Sequence, residues 1–218
     1  MDIISKKIII SEEDPAVIYL KKRDRRLAKL ISSIGSIECN THVDGFEFIV
    51  GQIIGQQLSI RVATSIFQKL LDYCGGNITP TQIELLDIDE IKKMGISNQK
   101  AGYIKNLANL IENYNFSFAG LEKQSDEDVY KRLMSLKGVG SWTSKMYMIF
   151  VLQRQDILPY EDVAFLQSYK WLYKTDKIDK ESICKKCKKW KPYSSIAARY
   201  LYRALDMGLT KEEFHLYK

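Results

Sequence analysis

Along most of the chain, apolar residues recur at i, i+3, i+4 and i+7 rather than in strict alternation, which is the period of an amphipathic helix. This spacing predicts helices over 14–33, 43–55, 59–73, 80–85, 87–93, 97–114, 126–134, 141–153, 162–173 and 192–206. Several carry start signals: Ser59 and Ser97 as caps, Thr79-Pro80, and Ser125 with Asp128 just ahead of Val129. The N-terminus reads differently. Ile3, Ile4, Ile8, Ile9 and Ile10 are β-branched and precede the turn signal SEEDP, so a short strand or docked arm is expected there. With 4 prolines and 12 glycines, no internal repeat and no Gly/Ser linker, the remaining chain reads as all-α. The lysine-rich stretch 170–191 is expected to be the longest loop.

Composition narrows the function classes only modestly. The chain has 218 residues, of which 45% are hydrophobic, enough to bury a core and to argue against disorder. Lys plus Arg number 33 against 27 Asp plus Glu, a formal charge of +6 that suggests an acidic partner, nucleic acid first, without deciding it. No apolar run approaches the roughly 18 to 20 residues of a membrane helix, and the start MDIISKKIIISEED lacks the apolar core of a signal peptide. The expected location is therefore cytoplasmic and nucleoid-associated, or nuclear in a eukaryote, with no membrane partner. Cys39, Cys74, Cys184 and Cys187 are too sparse for a disulfide framework. His42 and His215 are isolated and have no metal-binding spacing, so no catalytic metal is expected.

The most informative segment is LKGVGSWTSKMYMIF, Leu136 to Phe150. Gly138 and Gly140 separate two helical patterns and imply a tight hairpin, after which a new helix starts at Ser141 with its N–H groups pointing outward. Such a start suits an anion, and a DNA phosphate held this way is read without regard to sequence. A lone GxG is also what a structural αα-turn looks like. About twenty residues further comes ILPYEDVAFLQSY, where Pro159 ends one element and Asp162 begins another, a position at which Asp is most often simply an N-cap.

Taken together, LKGVGSWT and LPYEDVAFLQ resemble the helix-hairpin-helix, Gly/Pro-rich, Asp-containing signature of the DNA glycosylase superfamily. FEFIVGQIIGQQLSIRVATSIFQKL (46–70) resembles the helix pair bearing GQQLS in its alkylbase, or 3-methyladenine, branch. GISNQKAGYIKNLA (95–108) is similar to the next family helix, and WKPYSSIAARYLYRALD (190–206) to the closing one; the resemblance spans about residues 14 to 206. It implies an all-α helix-hairpin-helix glycosylase fold with two helical subdomains and a central cleft that holds Asp162. In that arrangement 56–150 would form the central subdomain, ending in the hairpin. Residues 1–55 would join the second subdomain, and 151–218 would complete it.

The resemblance also implies a chemistry. Members hydrolyse the N-glycosidic bond of a damaged base flipped out of duplex DNA, through an oxocarbenium-like sugar. Asp162 matches the essential Asp, which stabilises that cation and orients or deprotonates water; Glu161 is the adjacent alternative. The strand-cleaving branch carries a lysine where this chain has Trp142, and Lys145 is one helical turn away, so a monofunctional enzyme leaving an abasic site is implied. Trp142 and Tyr202 match the aromatic residues lining the base pocket, where a π face favours cationic alkylated purines such as 3-methyladenine and 7-methylguanine. The family more often has Trp at the second position, which leaves the preferred base open; core packing is the alternative for Trp142.

Gly138, Val139, Gly140, Ser141 and Thr143 would hold a phosphate. Gln56, Gln57 or Leu58 would plug the gap left by the flipped base, with Gln57 the first choice. The closing motif usually has Arg after Pro-aromatic, but here Pro192-Tyr193-Ser194-Ser195 stands instead, and Lys188, Lys189, Lys191 or Arg199 would have to compensate. A monovalent cation at hairpin carbonyls near Val139 is implied when DNA is bound. Related enzymes carry an iron–sulfur cluster on four C-terminal cysteines; Cys184 and Cys187 are two, so no cluster is expected and they read as surface thiols in a basic loop. The expected partner is damaged double-stranded DNA and the expected state a monomer. Rival readings are a glycosylase of the same fold for deaminated or oxidised bases, and a protein that binds damaged DNA without cutting the bond.

Overall fold

The computed structural model describes residues 5–216; Ile3 and Ile4 of the expected N-terminal strand lie outside them. The elements run β1 (Ser5–Ile10), α1 (Pro15–Arg23), α2 (Arg25–Ile34), β2 (Ile37–His42), α3 (Gly45–Gly55), α4 (Ile60–Tyr73), α5 (Pro80–Leu85), α6 (Ile88–Lys93) and α7 (Asn98–Glu112), then α8 (Asp126–Met134), α9 (Ser141–Phe150), α10 (Val163–Tyr173), α11 (Lys180–Cys187) and α12 (Ser194–Asp206). The protein is thus mainly helical, with β1 and β2 paired in a two-stranded sheet. It divides into two compact units, residues 42–152 and residues 6–41 with 153–216. The helix at 45–55 therefore packs with the hairpin-bearing unit, and the dividing point falls at 42 rather than 56.

In the 42–152 unit α3 is the central element: its residues from Gly45 to Val50, with Ile53 and Ile54, are buried, and α4, α7 and α9 pack on it. The cap residues set the register here. Thr79 and Gln82 form a reciprocal capping box, and Ser59, Ser97 and Ser125 each accept an N–H from the first turn they open.

In the other unit the first helical pattern, 14–33, is broken into α1 and α2 at Asp24. The reason is physical. Asp24 is extended, its carboxylate accepts the Arg26 and Leu27 N–H groups of α2, and its other oxygen meets Trp190 Nε1 at 2.9 Å, Lys189 Nζ at 2.9 Å and the Tyr173 hydroxyl. A continuous helix would have kept that carboxylate from the buried donors. Burial alone would raise the Asp24 pKa, but hydrogen bonds from Tyr173, Lys189 and Trp190 outweigh it and hold the carboxyl below its ordinary value. Around this centre Leu27, Ile31, Phe165, Leu172, Trp190, Tyr200 and Leu201 form the core.

The stretch 170–191 is not the expected loop. Asp179 caps α11 by accepting the Ser182 N–H, and Ile183 and Cys187, one turn apart, are buried on its inner face. Cys187 is consequently a core residue whose thiol is pushed up in pKa by burial, while Cys184 is exposed. The lysines that hid this helix in the sequence lie on its solvent side.

Asp24→Ala should cost about 3 to 5 kcal/mol in urea unfolding, because buried donors, one of them charged, lose their acceptor. The pH dependence follows from the depressed folded pKa. The charge contributes fully above the unfolded value of about 4 and the contribution is lost as pH falls through the lower folded value, so the stability gap between wild type and Asp24→Asn should be constant near neutrality and shrink in acid.

Candidate nucleic-acid interface and carboxylate site

The hairpin is built by two glycines with different tasks. Gly138 has φ +82°, and a Cβ there would lie 2.4 Å from the Tyr103 ring, so both backbone and neighbour demand glycine. Gly140 is extended (φ −104°) and opens α9 with no side-chain cap, and a Cβ there would meet nothing within 4 Å. The contrast with α4, α5, α7, α8, α10 and α11, each of which starts on a side chain accepting first-turn N–H groups, is plain. The α9 start is the geometry of an anion-receiving helix terminus. Val139, one of the expected donors, is buried, and its N–H closes the turn on Leu136 O at 3.1 Å. Thr143 is buried too, so its contribution to an anion is confined to its backbone.

Of the three plug candidates, Gln56 is held inward, its Nε2 donating to Gly138 O at 2.8 Å. Gln57 is exposed with φ +57°, a region uncommon for residues other than glycine. Leu58 is exposed beside it, as is Ile60, 87% exposed at the start of α4 and not singled out by the sequence pattern. Trp142 is 37% exposed, so part of its ring reaches solvent. It lines a cavity of about 640 Å³ with His42, Phe48, Gln52, Gln57 and Leu58. The His42 ring lies 4.9 Å from that of Phe48, and burial lowers the His42 pKa, so the imidazole is neutral at physiological pH. A single histidine carries no spacing signal, and its place in this cavity was not legible from the sequence. Gly51 and Ala63 at the cavity wall keep the volume open.

Asp162 belongs to the other unit and is buried at the start of α10, where Phe165 N–H donates to its Oδ1 at 2.8 Å. The approach to it is braced. Asp156 accepts from the Ser194 hydroxyl at 2.6 Å, and the Ile157 N–H donates to Ser195 Oγ at 2.9 Å. The serines that replace the expected closing-motif Arg thus pin the segment leading to Asp162. The Tyr202 phenol lies beside Asp162; burial first, then the Asp162 charge, push its pKa far up, so it stays protonated. Arg199 is 6% exposed and donates to Gln153 Oε1 at 2.9 Å, so it is an internal residue rather than a surface phosphate contact. Lys189 is likewise committed to Asp24, whereas Lys188 and Lys191 remain exposed.

Among the described residues no group of three or more His, Cys, Asp or Glu is arranged to hold a metal ion, and no helix is long and apolar enough to cross a membrane.

Comparison with known proteins shows the family and the fold. The HhH-GPD superfamily of base excision DNA repair proteins matches residues 50–192. The alkylbase DNA glycosidase-like protein mag2 of Schizosaccharomyces pombe is 32% identical over 192 residues, covering 85% of this chain and 90% of that protein. The crystal structure of DNA-3-methyladenine glycosidase from Bacillus halodurans superimposes with a TM-score of 0.85 at 30% identity, over 96% of this chain and 97% of that one. The Schizosaccharomyces pombe 3-methyladenine DNA glycosylase in complex with abasic DNA gives 0.78 at 25% identity, over 94% and 100%.

The two hairpin glycines should separate in thermal denaturation. Gly138→Ala should lose roughly 2 kcal/mol or more through φ strain and the Tyr103 clash, whereas Gly140→Ala should lose less than about 1 kcal/mol, the difference between Gly and Ala at an N-cap.

Proposed function

Because the chain belongs to the HhH-GPD superfamily of base excision DNA repair proteins, we propose that it is a DNA-3-methyladenine glycosylase-type N-glycosyl hydrolase. Its substrate is duplex DNA carrying alkylated purines, flipped out of the helix for cleavage. The observation that carries this reading is the buried carboxylate of Asp162 at a braced helix start, in a chain similar along almost its whole length to proteins named 3-methyladenine glycosylase or glycosidase. DNA as partner is supported by the likeness to a glycosylase held on abasic DNA.

The chemistry asked of the residues is limited. An alkylated purine is already a good leaving group because it carries a positive charge, so the protein must hold the base, stabilise the developing sugar cation and supply water. Asp162 provides fixed negative charge for that cation and an acceptor for the water proton; its Oδ1 is already oriented by Phe165 N–H. Tyr202 contributes a phenol that remains protonated beside this carboxylate. Trp142 offers an exposed π face for the cationic base. In the 42–152 unit the start of α9, which opens on Gly140 with no side-chain cap and continues through Ser141 and Thr143, grips a phosphate, and Gln57 with Leu58 fills the space left in the duplex. A monovalent cation bound by the hairpin carbonyls of Leu136 and Gly138, which accept from Val139 N–H and Gln56 Nε2, would add positive charge near the phosphate. Trp142 occupies the place of the strand-cleaving lysine, so water is the nucleophile and an abasic site the product. The protein acts as a monomer wherever the cell keeps its DNA.

Purified protein incubated with methylated duplex DNA should release free 3-methyladenine or 7-methylguanine, with strand breaks appearing only after alkali. Tight binding without release would overturn the reading in favour of a damage-binding protein. Asn caps a helix as well as Asp, so Asp162→Asn should fold normally, bind DNA within a few-fold of wild type and lose about 10²- to 10⁴-fold in release rate. Trp142→Ala should weaken release of 7-methylguanine more than affinity for undamaged DNA; an equal loss of both would make Trp142 a residue of the fold.

A further inference from the structure

Within the 42–152 unit one lysine and one glutamine connect three elements that the sequence presents as separate motifs. Lys100, in the first turn of α7, donates from Nζ to Ile54 O at 2.9 Å and to Gln56 O at 2.7 Å. These are carbonyls at the C-terminal end of α3, where intrahelical donors have run out. The Gln56 side chain then donates to Gly138 O at 2.8 Å in the hairpin. Gln57 follows directly, with φ +57°. The Gln56 carbonyl belongs to the same peptide plane as the Gln57 nitrogen, so the ammonium that holds this oxygen also fixes the plane from which the Gln57 φ is measured. A non-glycine residue stays in the left-handed region only when its surroundings over-determine it. Here they do so through Lys100 on one side and, on the other, the Leu58 N–H donating to Gly55 O at 3.2 Å.

We propose that Lys100 and Gln56 are positioning residues: they lock the Gln57-Leu58 plug to the hairpin, so that gripping the phosphate and inserting the plug are one rigid-body event. This rests on the glycosylase reading for the roles of plug and hairpin, and it adds a coupling between them. Lys100 itself touches neither base nor sugar in this account. Burial pulls its pKa below the ordinary lysine value, as expected for an ammonium withdrawn from water to serve two carbonyls. Without the strut Gln57 relaxes to the common φ < 0 basin, and the plug no longer points with the hairpin.

The test uses the full chain and two substrates, a duplex with a paired alkylated purine and one in which the same lesion is already unpaired in a bulge. Lys100→Met and Gln56→Leu should each slow single-turnover release from the paired lesion by about tenfold or more. Release from the bulge should stay within about threefold, because an unstacked base has little flipping cost left. The double variant should lose no more than the worse single one, as members of one network do. Equal losses on both substrates, or no loss on the paired one, would overturn the proposal. Fluorescence of 2-aminopurine placed beside the lesion reads plug insertion without any chemistry: wild type should raise it on binding and both variants should not. If wild type released no base, the glycosylase reading would fall, while the fluorescence would still decide the strut.

Discussion

A buried carboxylate is tolerated only where donors meet it, since leaving it unpaired costs several kcal/mol. The unit formed by 6–41 and 153–216 is arranged around two such groups, and both solve the problem at a helix start. At Asp24 the solution is saturation: two backbone N–H groups, an indole, a phenol and an ammonium converge on one carboxyl, so the charge is fully committed to the fold. Asp162 is anchored by the Phe165 N–H on Oδ1 and faces a phenol that keeps its proton. The same residue type in the same local position therefore serves the fold at Asp24 and, under the proposed function, the reaction at Asp162.

That difference marks what can be read from the chain alone. The helices from α3 to α10 and α12 follow from their apolar period, and the starts of α4, α5, α7, α8 and α10 from Ser, Thr and Asp caps, because both signals are local. Asp24 was hidden within an unbroken helical pattern, since its partners Tyr173, Lys189 and Trp190 are some 150 residues away and no local rule foresees them. The α11 helix was masked by lysines, although Ile183 and Cys187 carry its buried face. β2 was missed because a two-stranded ribbon needs its partner to exist, and IECNTH has no strong alternation of its own.

The candidate site divides in the same way. Gly138, Gly140, Trp142 and Asp162 stand in motifs dense enough to recognise, although backbone conformation restricts the residue type only at Gly138. His42, Ile60 and the internal role of Arg199 carry no such restriction and emerge only from burial and neighbours. Gln56 lies between the two cases. Its place in GQQLS is legible, yet its side chain turns inward to Gly138 while the next residue turns out.

The hairpin shows why two glycines one residue apart are not redundant. At Gly138 the side chain is forbidden from inside, by a positive φ and by the Tyr103 ring. At Gly140 nothing inside forbids one, and φ −104° is open to any residue. Stability accounts for the first glycine but not the second. A glycine where the fold would accept alanine at small cost leaves room for another surface to approach, and under the proposed function that surface is a DNA phosphate at the N-terminus of α9. The fold thus requires the first glycine of the pair, and under the proposed function the phosphate requires the second.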